Sequence, residues 1–174
     1  MPVNHASYLD PVVLAALIPG PLAFVAKVEL AGQRVAGPFL RQIGALFVRR
    51  ADIRGSVEDT RAVLEALRSG ERIVSFPEGT LTRMPGLLGF HLGPFLVAAE
   101  AGIPVVPIVI SGTRSALRGG QWFPRPSSIS VHVGKAVHAD GSDFSAAVRL
   151  RDAVREKVLA QCGEPDLALE RVQL

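Results

Sequence analysis

The chain has 174 residues, with 19 Lys plus Arg, 16 Asp plus Glu and a formal charge of +3. Apolar residues make up 48%, which excludes a disordered chain and suits one packed domain. The basic excess is small and aromatic residues are only 6%, which disfavours a nucleic-acid surface and leaves anionic small molecules or an anionic membrane face as partners.

In chain order, Pro11 to Ile18 reads as a short helix, with Asp10 as N-cap and Pro11 in the first turn. Leu22 to Ala26 reads as a strand after the Pro19-Gly20-Pro21 turn. Leu30 to Ile43 is helical with an interruption near Gly37-Pro38, and Ala45 to Val48 is a short strand. Val57 to Arg68 is the clearest helix, capped by Ser56, with acidic residues in its first turn and Gly70 beyond its end. Arg72 to Phe76 is a strand, and Phe95 to Ala101 a helix stopped by Gly102. Pro104 to Ile110 is a continuous β-branched run, the mark of a strand buried on both faces. Thr113 to Ser128 reads as a long loop, and Ile129, Val131 and Val133 as a half-exposed strand. Phe144 to Gln161 closes the chain as a helix with Ala147, Leu150, Val154 and Val158 on one face.

The alternation implies one α/β domain over residues 1–174, built on a mostly parallel or mixed central sheet flanked by helices. Only three residues precede Asn4-His5, where a supporting strand is expected, so the domain reads as N-terminally short, like a piece excised from a longer chain. The start lacks the basic segment and apolar core of a signal peptide. The longest uncharged stretch, Pro11 to Ala26, has 16 residues and a Pro-Gly-Pro break, too little for a spanning helix. The one cysteine, Cys162, has no disulfide partner, fits a reducing compartment and reads as a packing residue of the last helix.

Several segments carry chemistry. His5 and Asp10 lie five apart on a turn entering a helix, where a carboxylate can hold one imidazole nitrogen and support the imidazolium formed in proton abstraction. On spacing alone the plainer reading, Asp10 as a helix cap and His5 as a loop residue, is favoured, and the two roles are compatible. Phe76-Pro77-Glu78-Gly79-Thr80 follows a strand and can offer N–H groups and a hydroxyl to a phosphate, or be an ordinary turn. Gly44 to Arg50 is a strand delivering Arg49 and Arg50, suited to an anionic head group or to solvent. Val106 to Gly112 is a buried strand and a turn. No H-E-x-x-H or Cys/His cluster marks a zinc site, and no G-x-S-x-G elbow presents Ser7 as a nucleophile.

Taken in this order, the segments resemble the glycerolipid acyltransferase family, typified by 1-acylglycerol-3-phosphate acyltransferase. His5 and Asp10 fit its His-x4-Asp block, and Gly44, Phe47, Val48 and Arg50 fit its Gly-x-x-Phe-Ile-x-Arg block. Phe76 to Thr80 repeats its Phe-Pro-Glu-Gly-Thr block unchanged, and Val106 to Gly112 fits Val-Pro-Ile-x-Ile-x-Gly. Phe24 to Lys27 is also similar to the family. The resemblance covers nearly the whole chain.

It implies that His5 is the general base taking the proton from an acceptor hydroxyl, with Asp10 as its orienting partner. The oxygen then attacks the thioester of acyl-CoA or acyl carrier protein directly, with no metal or redox cofactor and no covalent acyl-enzyme. It implies that Arg50, Glu78, Gly79 and Thr80, with Arg83 and Lys27 nearby, bind the phosphate of a lysophosphatidic acid acceptor. It further implies a membrane surface as partner, at the cytoplasmic face. The departures fall in the acceptor blocks: Leu81-Thr82 replaces the usual Arg-Ser, with Arg83 two places later, His91 stands for a lysine, and Arg49 for Asp or Asn. Rival readings are an acyltransferase for another lipid acceptor, a thioesterase using water, and a catalytically idle lipid- or phosphate-binding domain.

Overall fold

The computed structural model describes residues 1–34, 36–48, 53–82, 84–117, 121 and 123–169, and in addition leaves out the side chains of 36 and 53–60. The chain divides into two compact units, Pro19–Ser75 and Met1–Ile18 together with Phe76–Leu174. The architecture is mixed α/β, with parallel pairing and flanking helices, as the alternating pattern predicts.

Within Pro19–Ser75, β1 (Ala23–Lys27) lies between β2 (Leu46–Val48) and β3 (Ile73–Val74), parallel to both. A 3₁₀ turn (Val28–Gly32), α2 (Ala36–Gln42) and α3 (Ile53–Arg68) supply the connections. Parallel neighbours require such crossovers, since a tight hairpin cannot join them. Ala23, Ala66 and Ile73 form a small core, with Val63 and Leu67 of α3 packed onto it. Both helix starts differ from the sequence reading. Gly37-Pro38 lies in the first turn of α2 and starts the helix, because proline is tolerated where no N–H is needed. Helix α3 begins at Ile53, so Ser56 is inside it and cannot be its cap.

In the other unit, α1 (Asp10–Leu17), β4 (Leu87–Leu88), α4 (Gly93–Ala101), β5 (Ile108–Ser111), α5 (Thr113–Ala116), β6 (Ser130–Val133), α6 (Phe144–Cys162) and β7 (Asp166–Leu167) follow in order. Strands β5 and β6 are antiparallel, and β4 and β7 are parallel. The long apolar run breaks at Pro107, which has no N–H to pair, so Val105 bridges Val137 separately and the strand proper starts at Ile108. Ile108, Val109 and Ile110 are all buried, as expected of a strand covered on both faces. The expected loop from Thr113 opens instead with the short α5. Helix α6 buries Ala147, Leu150, Val154 and Val158 on one face, and Asp143 caps it by accepting from the Ala146 N–H at 2.7 Å. Leu87, Phe90, Phe95 and Val105 complete that core, and Cys162 is part of it, with burial pushing its thiol pKa up. Among the described residues, no helix is long and apolar enough to cross a membrane.

Candidate active site

The site begins at the edge of β5. Val3 pairs with Ile108 in parallel register, and the Ile108 N–H donates to the Pro2 carbonyl at 2.9 Å. Asn4 continues the ladder with its side chain: Nδ2 donates to the Ile110 carbonyl at 2.9 Å, and Oδ1 accepts the Ile110 N–H at 2.8 Å. A side-chain amide carries the same donor and acceptor as a peptide, so the strand stays satisfied while the main chain turns away. Pro2, Val3 and Asn4 thus tie the segment leading into His5 to the edge of β5.

The turn from His5 to Asp10 is built around one carboxylate oxygen. Asp10 Oδ2 accepts from the Ala6 and Ser7 N–H groups at 2.7 and 2.8 Å, and lies 2.9 Å from His5 Nδ1. Asp10 therefore does not cap α1, contrary to the sequence reading: its carboxylate points back over the turn, and the residue at the cap position, Leu9, offers no side-chain bond. The carboxylate is fully buried (0% exposed) beside a His5 side chain that is 18% exposed, and Asp10 Oδ1 has no hydrogen-bond partner among the described residues. A buried anion with one oxygen unsolvated gains most when its neighbour becomes a cation. Because Asp10 is an acceptor, Nδ1 carries the ring proton and Nε2 is left with its lone pair. Ser7 is not a nucleophile in waiting, because its hydroxyl donates to the Leu117 carbonyl at 2.7 Å and accepts from the Leu9 N–H.

Glu78 approaches the same turn from the Phe76–Gly79 segment. The Gly79 N–H donates to the Phe76 carbonyl at 3.0 Å, closing a β-turn with Pro77 in its second position. Gly79 has φ of +74°, a backbone region that side-chain-bearing residues rarely adopt. The turn aims Glu78 inward. Its Oε1 accepts the His5 N–H at 2.6 Å and its Oε2 accepts the Leu88 N–H at 2.9 Å. Burial pushes the Glu78 pKa above the ordinary carboxylate value, partly offset by these two N–H donors and by the charges of His5 and Arg114. The Phe76 ring stacks on the His5 imidazole with centroids 4.2 Å apart.

The structure thus brings His5, Asp10 and Glu78 together, with Gly79 and Thr80 following in the same segment. Glu78 spends both oxygens on backbone donors. Lys27 ends β1, half-buried, in the other unit. Arg50 and Arg83 lie outside the described residues. Sequence reasoning missed Asn4, Phe76 and Leu88 as supports of the His5 turn. A polar Asn between a buried valine and the histidine was the one visible signal.

A family model described as "Acyltransferase" matches residues 2–111, which include the whole His5–Asp10 turn and Glu78. The chain belongs to the acyltransferase family. Among curated relatives of this acyltransferase-family chain, the chloroplastic 1-acyl-sn-glycerol-3-phosphate acyltransferase of Arabidopsis thaliana is 30% identical over 80% of the chain and 39% of its own length. A lyso-ornithine lipid O-acyltransferase of Pseudomonas aeruginosa is 33% identical over 79% of the chain and 52% of its own length. The chain therefore spans about half the length, or less, of these relatives. The crystal structure of the 1-acyl-sn-glycerophosphate acyltransferase PlsC from Thermotoga maritima superposes with a TM-score of 0.72 at 24% identity, covering 93% of this acyltransferase-family chain and 65% of that one. It establishes the shared fold.

Proposed function

We propose that the chain transfers a fatty acyl group from acyl-CoA or acyl carrier protein to the free hydroxyl of 1-acylglycerol-3-phosphate, with His5 as general base and Asp10 as its orienting partner. The observation that carries this reading is the 2.9 Å pairing of His5 Nδ1 with an Asp10 oxygen already fixed by two backbone N–H groups. Nε2 removes the hydroxyl proton as the oxygen attacks the thioester carbonyl. The C–O bond forms, the C–S bond breaks, and the proton passes from the imidazolium to the departing thiolate. Asp10 stabilises the imidazolium in between and keeps the ring in the productive tautomer. No covalent acyl-enzyme is required, and no metal or redox cofactor is invoked.

The names of relatives such as the Arabidopsis enzyme support the lysophosphatidic acid acceptor. In this proposal Gly79, Thr80, Arg50, Arg83 and Lys27 take the acceptor's phosphate, and the chain works on the cytoplasmic face of a membrane, where both lipids reside. A second acceptor is favoured by a specific observation. Leu81-Thr82 stands where the family commonly has Arg-Ser, and one relative is named for lyso-ornithine lipid. The test is CoA release from a long-chain acyl-CoA with and without each lysolipid, for the native chain and His5→Ala. Release that requires an acceptor and collapses in the variant supports the proposal, and the better acceptor names the substrate. Acceptor-independent hydrolysis would make the chain a thioesterase, and no thiol release from the native chain would falsify the catalytic reading.

A further inference from the structure

We propose that Arg155, which lies beyond the segment matched to the family, is a positioning residue for His5 that acts through the Leu87–Leu88 peptide and Glu78. The proposal rests on the assignment of His5 as the base. Arg155 projects from α6 with its side chain 13% exposed. Its Nη2 donates to the Leu87 carbonyl at 2.9 Å and its Nε to the Leu88 carbonyl at 3.0 Å. The Leu87 carbonyl and the Leu88 N–H belong to one peptide group, and that N–H is the one bound to Glu78. A guanidinium on the oxygen of an amide polarises its N–H, which strengthens the bond to the carboxylate beyond. The line runs from the Arg155 cation, through a buried peptide, to the Glu78 anion and then to the His5 N–H.

The surroundings hold this peptide from the same side. Asp166 accepts from Arg155 Nη2 at 2.5 Å and orients the fork. Strand β7 pairs with β4, matching Leu87 to Asp166 and Leu88 to Leu167. The Gly86 N–H donates to Glu164, whose carboxylate is paired with Arg114, itself bonded to the Thr82 carbonyl. Gly86 has φ of +148°, and a Cβ there would overlap the Leu167 side chain. Residues 164–168 thus act as a splint on residues 86–89, and Arg155 supplies its charge.

The test compares Arg155→Gln, Arg155→Lys, Glu78→Gln, the double variant Arg155→Gln/Glu78→Gln and a surface control, Arg149→Gln, in the full chain. Amide hydrogen exchange at His5 and Leu88, read by NMR, needs no substrate and so stands apart from the activity proposed above. Arg155→Gln is expected to speed exchange at both amides by about tenfold over the control, and to lower kcat about tenfold with KM within about twofold. Arg155→Lys, which keeps the charge without the fork, is expected to restore part of both, and it is the variant read if Arg155→Gln fails to fold. The double variant should turn over no more slowly than Glu78→Gln alone, because the two residues act in series. Unchanged His5 exchange in a folded Arg155→Gln, or losses that multiply in the double variant, would overturn the proposal. If the native chain shows no acyl transfer, the activity reading fails while the exchange result still decides this one.

Discussion

Two turns meet at His5, and they are held in opposite ways. The His5–Asp10 turn is closed by its own residues: one carboxylate gathers two N–H groups and the imidazole from within five positions. The turn carrying Glu78 leans on distant parts of the chain, on Leu88 directly and on Arg155, Glu164 and Asp166 beyond it. The His5–Asp10 geometry is thus fixed by neighbours in sequence, and the segment that braces it is held by residues far along the chain.

Variants can break this contrast at either turn. The largest effect is expected for His5→Ala, which removes the proposed base and should lower acceptor-dependent CoA release by about 10²–10⁴ in kcat. Asp10→Asn comes next. An amide in place of the carboxylate must point its oxygen either at the Ala6 and Ser7 N–H groups or at Nδ1–H, and it cannot stabilise the imidazolium. A loss of about 10² in kcat with KM little changed is the outcome to look for, and a KM effect alone would count against the assigned role. Asn4→Leu strips the Ile110 N–H and carbonyl of their partners inside the protein. Chemical denaturation should show a loss of about 2–3 kcal/mol, since buried backbone groups without partners cost about 1–3 kcal/mol each.

The smallest effect is a pH dependence at Glu78. Burial raises its pKa in the folded state, so the native protein binds this proton more readily than the unfolded chain. The stability that Glu78 contributes relative to a Glu78→Gln variant is then fully present below the unfolded carboxylate value, 4.5, and falls as pH rises through the folded value. Denaturant midpoints of both proteins across that window would show it, and a gap between them that widens with rising pH in favour of the native chain would contradict it.

The same contrast explains what the sequence could tell. The His5–Asp10 pair was legible because five residues of spacing nearly determine its geometry, although Asp10 proved to face backward rather than to cap α1. Helix α4 was legible from Gly102 at its end, and α6 from the apolar face of Ala147, Leu150, Val154 and Val158. Strands β4 and β7 were not, since two residues carry no period, and their pairing joins positions some eighty apart. Arg155 reads in sequence as one more charge on an amphipathic helix, and only the fold shows that its fork closes on main-chain oxygens. Glu78 stood out within its motif, but its bonds to the His5 and Leu88 N–H groups did not, because spacing cannot say which donors a carboxylate will meet.

The borrowed peptide at Asn4 has a consequence beyond catalysis. With β6 on one side, β5 has its other edge covered by residues 2–4, at the end of an apolar run rich in valine and isoleucine. A bare edge of that composition is a template for strand addition from a second molecule. Trimming the first four residues would therefore do more than loosen the histidine. It would turn a satisfied margin into an adhesive one, and the first sign of damage would be self-association in the test tube.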